Sequence, residues 1–452
     1  MRPPRRVLVG VALAVAAWTA FGIAAPATNG AHVTADEPHY LVTAISLGED
    51  YDLDVSDERA EERYRPFHRV DMLVQEETRA DGSQVSPHDP LLPAVLALPM
   101  RLGGWIAAKL TLALVAGALA AALVWVGVAR FGAPTAVAVV TTLAFAAAPP
   151  LAFYATQVYP ELPAALAVTV AIAALTGPLD RRALVVLGAC VIALPWLAVK
   201  YAPVAAMLVV TALVRRRSWG WLALLGAAAG LFALAHLEWY GGLTPYASGD
   251  HFVGGELTVV GTDPNYAGRA IRLAGLLLDR DFGLAAWQPA YLLAVPAAAA
   301  LVRRRPPGWD TLALPFAAGW LTATFVALTM HGWWWPGRQT VVVLPCAVLA
   351  VAWWAAARPR ALAAVAVAGL AGASAYAWLV AQAVVGDLTI VVSFESVTHP
   401  LVRGWRLLLP DYRDLAPRDW LLHGAWLVAG AAVALRPRLG LVRARLQGAT
   451  VR

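Results

Sequence analysis

Asp36 and Glu37 are adjacent carboxylates about ten residues beyond an apolar run, Val7 to Ala25, and they open a polar stretch that ends at His88-Asp89-Pro90. A carboxylate pair at the mouth of an apolar protein is a candidate general base. Thr34-Ala35-Asp36-Glu37 also reads as a capping box, with Thr34 as N-cap and Glu37 as its acidic partner. That reading has no use for Asp36. Tyr159-Pro160-Glu161 offers a third carboxylate. It is equally a helix start, where proline opens the first turn and glutamate complements the dipole. Lys200, followed by Tyr201, is one of only two lysines, Lys109 being the other. It reads either as a lysine snorkelling to an interface or as a phosphate ligand. His331-Gly332-Trp333-Trp334-Trp335-Pro336-Gly337-Arg338 combines an aromatic cluster, a shaped turn and a guanidinium. The tryptophans alone would make an aromatic belt, but Arg338 can grip a phosphate through parallel hydrogen bonds. Asp279-Arg280-Asp281-Phe282-Gly283-Leu284 is a second mixed-charge turn, either a solvated loop or a further cation for the same anion.

These residues need a scaffold, and composition says which solvent it faces. The chain has 452 residues, 60% hydrophobic and 14% charged. That is too apolar for a soluble protein of this length. Apolar runs of about the roughly 20 residues that span a bilayer recur throughout. They fall near 7–25, 105–129, 133–153, 161–178, 183–199, 201–214, 219–240, 285–302, 311–330, 339–357, 361–385 and 420–435, which predicts an all-α polytopic protein of about 12 transmembrane helices. The first run exceeds the usual apolar core of a signal peptide and is expected to be a retained helix. Cys190 and Cys346 fall inside apolar runs and read as small buried hydrophobes.

Arginine sets the orientation. Arg2, Arg5, Arg6, Arg130, Arg181, Arg182, Arg215 to Arg217, Arg303 to Arg305, Arg358 and Arg360 fall at every second gap, and Arg436, Arg438, Arg443, Arg445 and Arg452 follow the last run. That side holds 19 of the 35 basic residues against Asp180 and Asp310, or +17; the other side holds 16 basic and 27 acidic residues, or −11, together the net +6. Both termini are therefore expected in the cytoplasm, with 436–452 a basic tail. The segments 26–104, 241–284 and 386–419 are expected outside. The whole of 1–452 reads as one transmembrane domain with no soluble domain at either end. Within 26–104, Asp36 to Leu47 reads as a short interfacial helix, and Pro90 to Leu102 as an interfacial or re-entrant one. The basic balance is a topology signal and points to no nucleic acid. No phosphate loop, dinucleotide fingerprint or Ser-His-Asp spacing appears. His88-Asp89 near Asp36 is weak support for a metal.

In order and spacing these motifs resemble the GT-C superfamily of polytopic glycosyltransferases, which includes protein O-mannosyltransferases and lipid A aminoarabinose transferases. Asp36-Glu37-Pro38-His39-Tyr40-Leu41 is similar to its acidic first-loop signature. His88-Asp89-Pro90-Leu91 is similar to its second, with Asp89 and a missing glycine as departures. Asp279 to Leu284 followed by Pro289, and Trp333 to Arg338 followed by Pro345, are similar to its later turns. The resemblance implies a bacterial plasma-membrane enzyme that takes a hexose or pentose from a polyprenyl-phosphate donor at the outer leaflet. The sugar would go to an extracytoplasmic hydroxyl on a cell-wall glycan, lipid or protein, with inversion. Asp36 would be the general base. Glu37 and Glu161 would orient the acceptor or hold a divalent cation, and no other cofactor is required. Lys200 and Arg338, with Arg280 in reserve, would stabilise the departing phosphate. A phosphate needs no general acid, unlike the alkoxide of glycoside hydrolysis. His88, Tyr201, Asp279 and Trp335 complete the expected substrate contacts, and 90–104 would wall the portal for the prenyl tail. Two other classes stay open on sequence grounds: a transporter or lipid flippase, and a non-catalytic assembly partner.

Overall fold

The computed structural model describes residues 2–252, 254–391 and 394–449, with 436–449 as backbone only. The basic side chains expected at 436–452 lie outside the described residues. Helices are α1 (Arg5–Ala20), α2 (Glu37–Glu49), α3 (Ser56–Ala60), α4 (Leu91–Ala129), α5 (Thr135–Ala146), α6 (Leu151–Tyr154), α7 (Glu161–Leu175), α8 (Arg181–Leu197), α9 (Ala202–Arg215) and α10 (Trp219–Tyr240). After them come α11 (Tyr266–Arg269), α12 (Arg272–Leu278), α13 (Leu284–Trp287), α14 (Ala294–Arg304), α15 (Asp310–Leu321), α16 (Leu344–Ala355), α17 (Pro359–Val385), α18 (Pro400–Arg406) and α19 (Pro417–Ala449). No strand forms among the described residues; five isolated bridges, such as Asp54 with Val85 and Glu76 with Gly249, pin the polar segment.

Small residues let the helices approach closely. A Cβ on Gly117 of α4 would sit 2.4 Å from the Ala12 carbonyl of α1, and one on Gly369 of α17 would sit 2.4 Å from the Ala144 methyl of α5. The helix α4 is two pieces. Gly103 and Gly104 leave helical geometry, so Leu91 to Leu102 forms one leg and Trp105 to Ala129 the other. The helix packs on α1, α2, α5 and α7, with Ala97 of the first leg beside Gly48 of α2 and Gly117 and Gly127 of the second beside Ala12 of α1 and Ala138 of α5. The separate element expected at 90–102 is therefore present. The helix expected at 36–47 is present too, as Glu37–Glu49, and every residue from Glu37 to Ser46 is buried within the protein.

Among the described residues four helices are long and apolar enough to cross a membrane by length and composition: Leu91–Ala129, Trp219–Ser248, Arg338–Ala355 and Pro359–Val385. Leu224, Leu231 and Leu234 of α10 are more than half exposed, as a lipid-facing helix requires. The expected count of about twelve is not established, because several expected spans are interrupted. The one at 133–153 stops at Ala146 before Pro149-Pro150; 285–302 breaks at Gln288-Pro289; 311–330 leaves α-helical geometry at Thr322; and 339–357 begins as the 3-10 turn Arg338–Val343. Proline supplies no N–H to the helical ladder, so apolar length alone overstates helix length here.

The arginine-rich connection after α9 meets two of its neighbours. Arg215 bonds the Leu175 carbonyl (2.6 Å) and pairs with Asp310, and Arg216 bonds the Leu179 carbonyl. The Asp36 segment and the 332–338 turn meet elsewhere, around the site described next.

Candidate active site

The chain turns sharply before α2, at Ala35 in the left-handed region (φ 51°). Glu37 then faces inward. It accepts from the Thr34 N–H (3.2 Å) and the Val158 N–H (2.7 Å), and lies 3.5 Å from Gln157 Nε2. Half of the expected capping box forms; the Thr34 side chain caps nothing, and Asp36 stands at the N-cap position. Burial pushes the Glu37 carboxyl up to about 7, against the pull of Lys109 and of those two N–H donors. Lys109, a buried lysine on α4, donates to the His32 carbonyl at 2.6 Å. Glu37 is wholly enclosed, its oxygens turned to the backbone N–H groups of the loop.

Asp36 points the other way, with its side chain 23% exposed. Arg338 Nη2 donates to its Oδ2 at 2.6 Å. His88 Nε2 lies 3.7 Å away, and Gln75 Nε2 3.5 Å from Oδ1. Burial alone would raise the Asp36 carboxyl, but Arg338 and His88 outweigh it and hold it well below the usual carboxylate range. Arg338 Nε donates to Glu161 Oε1 at 3.0 Å, and Lys200 Nζ donates to the same oxygen at 2.8 Å. The result is an alternating chain, Asp36–Arg338–Glu161–Lys200, drawn from four distant parts of the sequence. Arg338 is sandwiched by the rings of Tyr159 (3.9 Å) and Trp334 (5.0 Å), which suits a planar cation.

Each cation is held by a built turn. Gly337 has φ 87°, and a Cβ there would meet Leu284 at 2.8 Å, so only glycine brings Arg338 into place. Tyr154 Oη donates to the Trp335 carbonyl at 2.6 Å and fixes the same turn. Lys200 sits between α8 and α9, at the gap between the apolar runs 183–199 and 201–214, so the two helices form a hairpin around it. Asp89 anchors that hairpin: it accepts from the Val199 N–H at 2.8 Å and lies 3.2 Å from His236 Nε2. The residue that departs from the second signature thus has a structural task. Burial raises its carboxyl. His88 itself lies against Tyr40 (4.6 Å between ring centres), and burial lowers its imidazole, which favours the neutral ring.

Several expected contacts are placed otherwise. Trp335 is fully buried against Phe153 and Trp287, so it is core, and Trp334 is the tryptophan that faces Arg338. Arg280 pairs with Asp419 (2.8 Å) and Asp411 (3.7 Å). Asp279 accepts from the Asp281, Phe282 and Tyr412 N–H groups. These two staple the 279–283 turn to 411–419, and no contact among the described residues joins them to Asp36. Tyr201 is buried beside Lys200 (5.4 Å), and its hydroxyl has no partner among the described residues. Glu161 Oε2 and Trp334 Nε1 are likewise buried and unpartnered among the described residues. Buried polar atoms are seldom left so, and these three lie around the two cations. The sequence reading missed Gln75, Gln339 (Oε1 3.4 Å from Lys200 Nζ), Tyr159 and His236. Only Tyr159, next to Pro160-Glu161, carried a local signal. Among the described residues the site carboxylates form no set of three with metal-ligand spacing.

The sequence matches no established family profile and no curated protein. Its fold does match a solved structure: that of ArnT from Cupriavidus metallidurans bound to undecaprenyl phosphate, at 17% identity and a TM-score of 0.51 over 97% of this chain and 72% of that one. The chain therefore shares the fold of that ArnT structure.

Proposed function

We propose that this protein transfers a sugar from a polyprenyl-phosphate donor to an extracytoplasmic hydroxyl. The observation that carries the reading is the alternating ion chain of Asp36, Arg338, Glu161 and Lys200, set in a fold shared with a protein crystallised with undecaprenyl phosphate. Glu161 holds both cations by one oxygen. Arg338 keeps further N–H donors beyond the two it spends on carboxylates, and a lipid phosphate would take them together with Lys200. Developing negative charge on the leaving phosphate is then met by fixed cations.

Asp36 is the proposed base. Among the described residues its Oδ1 is engaged only by Gln75 at 3.5 Å, which leaves it free for an acceptor hydroxyl. Its low proton affinity suits a displacement in which the sugar develops oxocarbenium character first and the attacking hydroxyl becomes acidic late. As Arg338 turns toward the phosphate, its hold on Asp36 weakens and the carboxylate becomes more basic. His88 steadies Asp36. Glu37 shapes the loop, and neither Arg280 nor Trp335 takes part. A cavity of about 600 Å³ bordered by Leu47, Pro90, Leu91, Ala94, Trp196 and Trp239 is the proposed portal for the apolar chain, in keeping with the 90–104 wall. The proposed setting is a bacterial plasma membrane, with the site outside and both termini in the cytoplasm.

The test is transfer by purified protein from a panel of polyprenyl-phosphate hexoses and pentoses, with liposome transport of the same donors measured in parallel. Sugar release to an acceptor supports the reading. Donor translocation with no transfer would replace it with a flippase.

A further inference from the structure

Outside the active site, three carboxylates converge with no cation between them. Asp50 closes α2, Asp57 and Glu58 stand on α3, and one carboxylate oxygen from each lies within 4.8 Å of the other two. Neighbouring acids are already engaged. Asp52 accepts from Ser46 Oγ (2.9 Å) and the Asp54 N–H (3.1 Å), and Asp54 from the N–H groups of Ser56 (3.0 Å) and Gln84 (2.8 Å). The nearest arginines are committed too: Arg63 pairs with Glu49 and Glu61, and Arg59 with Glu76. Glu58 is 2% exposed, and neither of its oxygens has a hydrogen-bond partner among the described residues. A buried carboxylate without a donor is costly, and this one lies in reach of two more.

We propose that Asp50, Asp57 and Glu58 bind a divalent cation of the calcium class. Carboxylate oxygens are hard ligands that select calcium, magnesium or manganese over softer metals. Calcium takes six to eight oxygens at about 2.3–2.6 Å in flexible geometry, which suits three carboxylates that converge from a helix end and a short helix. Magnesium, at about 2.0–2.1 Å, insists on near-octahedral geometry. Asp50 and Asp57 are exposed, which leaves room for the waters that complete a calcium shell.

The ion would tie the end of α2 to α3, and the next residue carries the effect onward. Arg59 holds Glu76, Glu76 lies 3.5 Å from His39, and Gln75 reaches Asp36 at 3.5 Å. The cation would thus brace the segment that covers Asp36. Its existence does not depend on the transfer chemistry.

Calorimetric titration of calcium into the chelator-treated, full-length protein in detergent tests the proposal. One saturable site is expected, with a Kd on the order of 10⁻⁴–10⁻³ M, typical of extracellular calcium sites. Asp57→Asn, a substitution at an exposed position, and Glu58→Gln should each weaken it at least tenfold, with circular dichroism unchanged. Glu61→Gln, in the same acidic stretch, should leave it alone. No saturable heat at roughly ten times that range, or equal binding by Asp57→Asn and wild type, would overturn the site. Magnesium binding as tight as calcium would overturn the choice of ion.

Discussion

Arg338 reaches two carboxylates at once through two separate nitrogens of a planar fork. Nε meets Glu161 and Nη2 meets Asp36 while two rings cover its faces. A lysine there has one point of charge and no stacking plane. Arg338→Lys is therefore expected to lower transfer on the order of a hundredfold while the protein elutes and melts as before; a loss under about threefold would mean that charge alone suffices. Glu37 makes a different prediction. Its carboxyl is raised from 4.5 to about 7 by burial. A raised carboxyl favours folding most at pH below 4.5, and that contribution is lost as pH rises to about 7. Melting temperatures of wild type and Glu37→Gln across pH 4.5–8 should diverge in the variant's favour up to about pH 7 and run parallel above it. A constant gap would show that Glu37 does not titrate there. Asp36, Glu161, Lys200 and Arg338 were legible in the sequence because each interrupts an apolar context with a charge. Trp335 was misread because three consecutive tryptophans carry no signal of which ring faces inward. Gln75 and Gln339 were invisible, since neutral amides in a loop or at a helix start look like ordinary solvated residues.

Turns and half-helices hold the site, and they account for what apolar length alone obscured. The 332–338 turn, the α8–α9 hairpin and the start of α2 each end a helix where a charge is presented. Long regular helices would have carried those charges into lipid at high cost. The hairpin is latched by Asp89 through Val199 and His236. Asp89→Ala removes both bonds and frees the Lys200 turn. The donor KM is expected to rise on the order of tenfold, equivalent to about 1.4 kcal/mol of lost phosphate contact, with a smaller change in kcat. An unchanged KM would separate Lys200 from donor binding. The hairpin itself was readable from two short apolar runs flanking Lys200. Its latch was not, because Asp89 and His236 are 147 positions apart. Interruptions at Pro149, Pro289 and Thr322 likewise separate apolar length from helix length.

Across the whole molecule, charge divides the chain into an arginine-rich end and an end that carries the ion chain. Arg130, Arg215 to Arg217, Arg303 to Arg305 and Arg358 were grouped by the charge pattern alone, and Arg215 and Arg216 indeed bind the neighbouring connections at Leu175, Leu179 and Asp310. The pattern further predicts which end faces out. In a background of Cys190→Ala and Cys346→Ala, a membrane-impermeant maleimide should label Leu73→Cys, a position 81% exposed, in intact cells. Arg217→Cys at the opposite end should react only after permeabilisation, and the reverse result would invert the topology. The central claim is that Asp36 takes the acceptor's proton beside a phosphate held by Arg338. Its most direct test is single-turnover transfer by Asp36→Asn loaded with lipid-linked sugar. The account predicts that the variant folds, retains the donor and transfers about 10²–10⁴ times more slowly than wild type. Transfer at the wild-type rate by the folded, donor-loaded variant would contradict it.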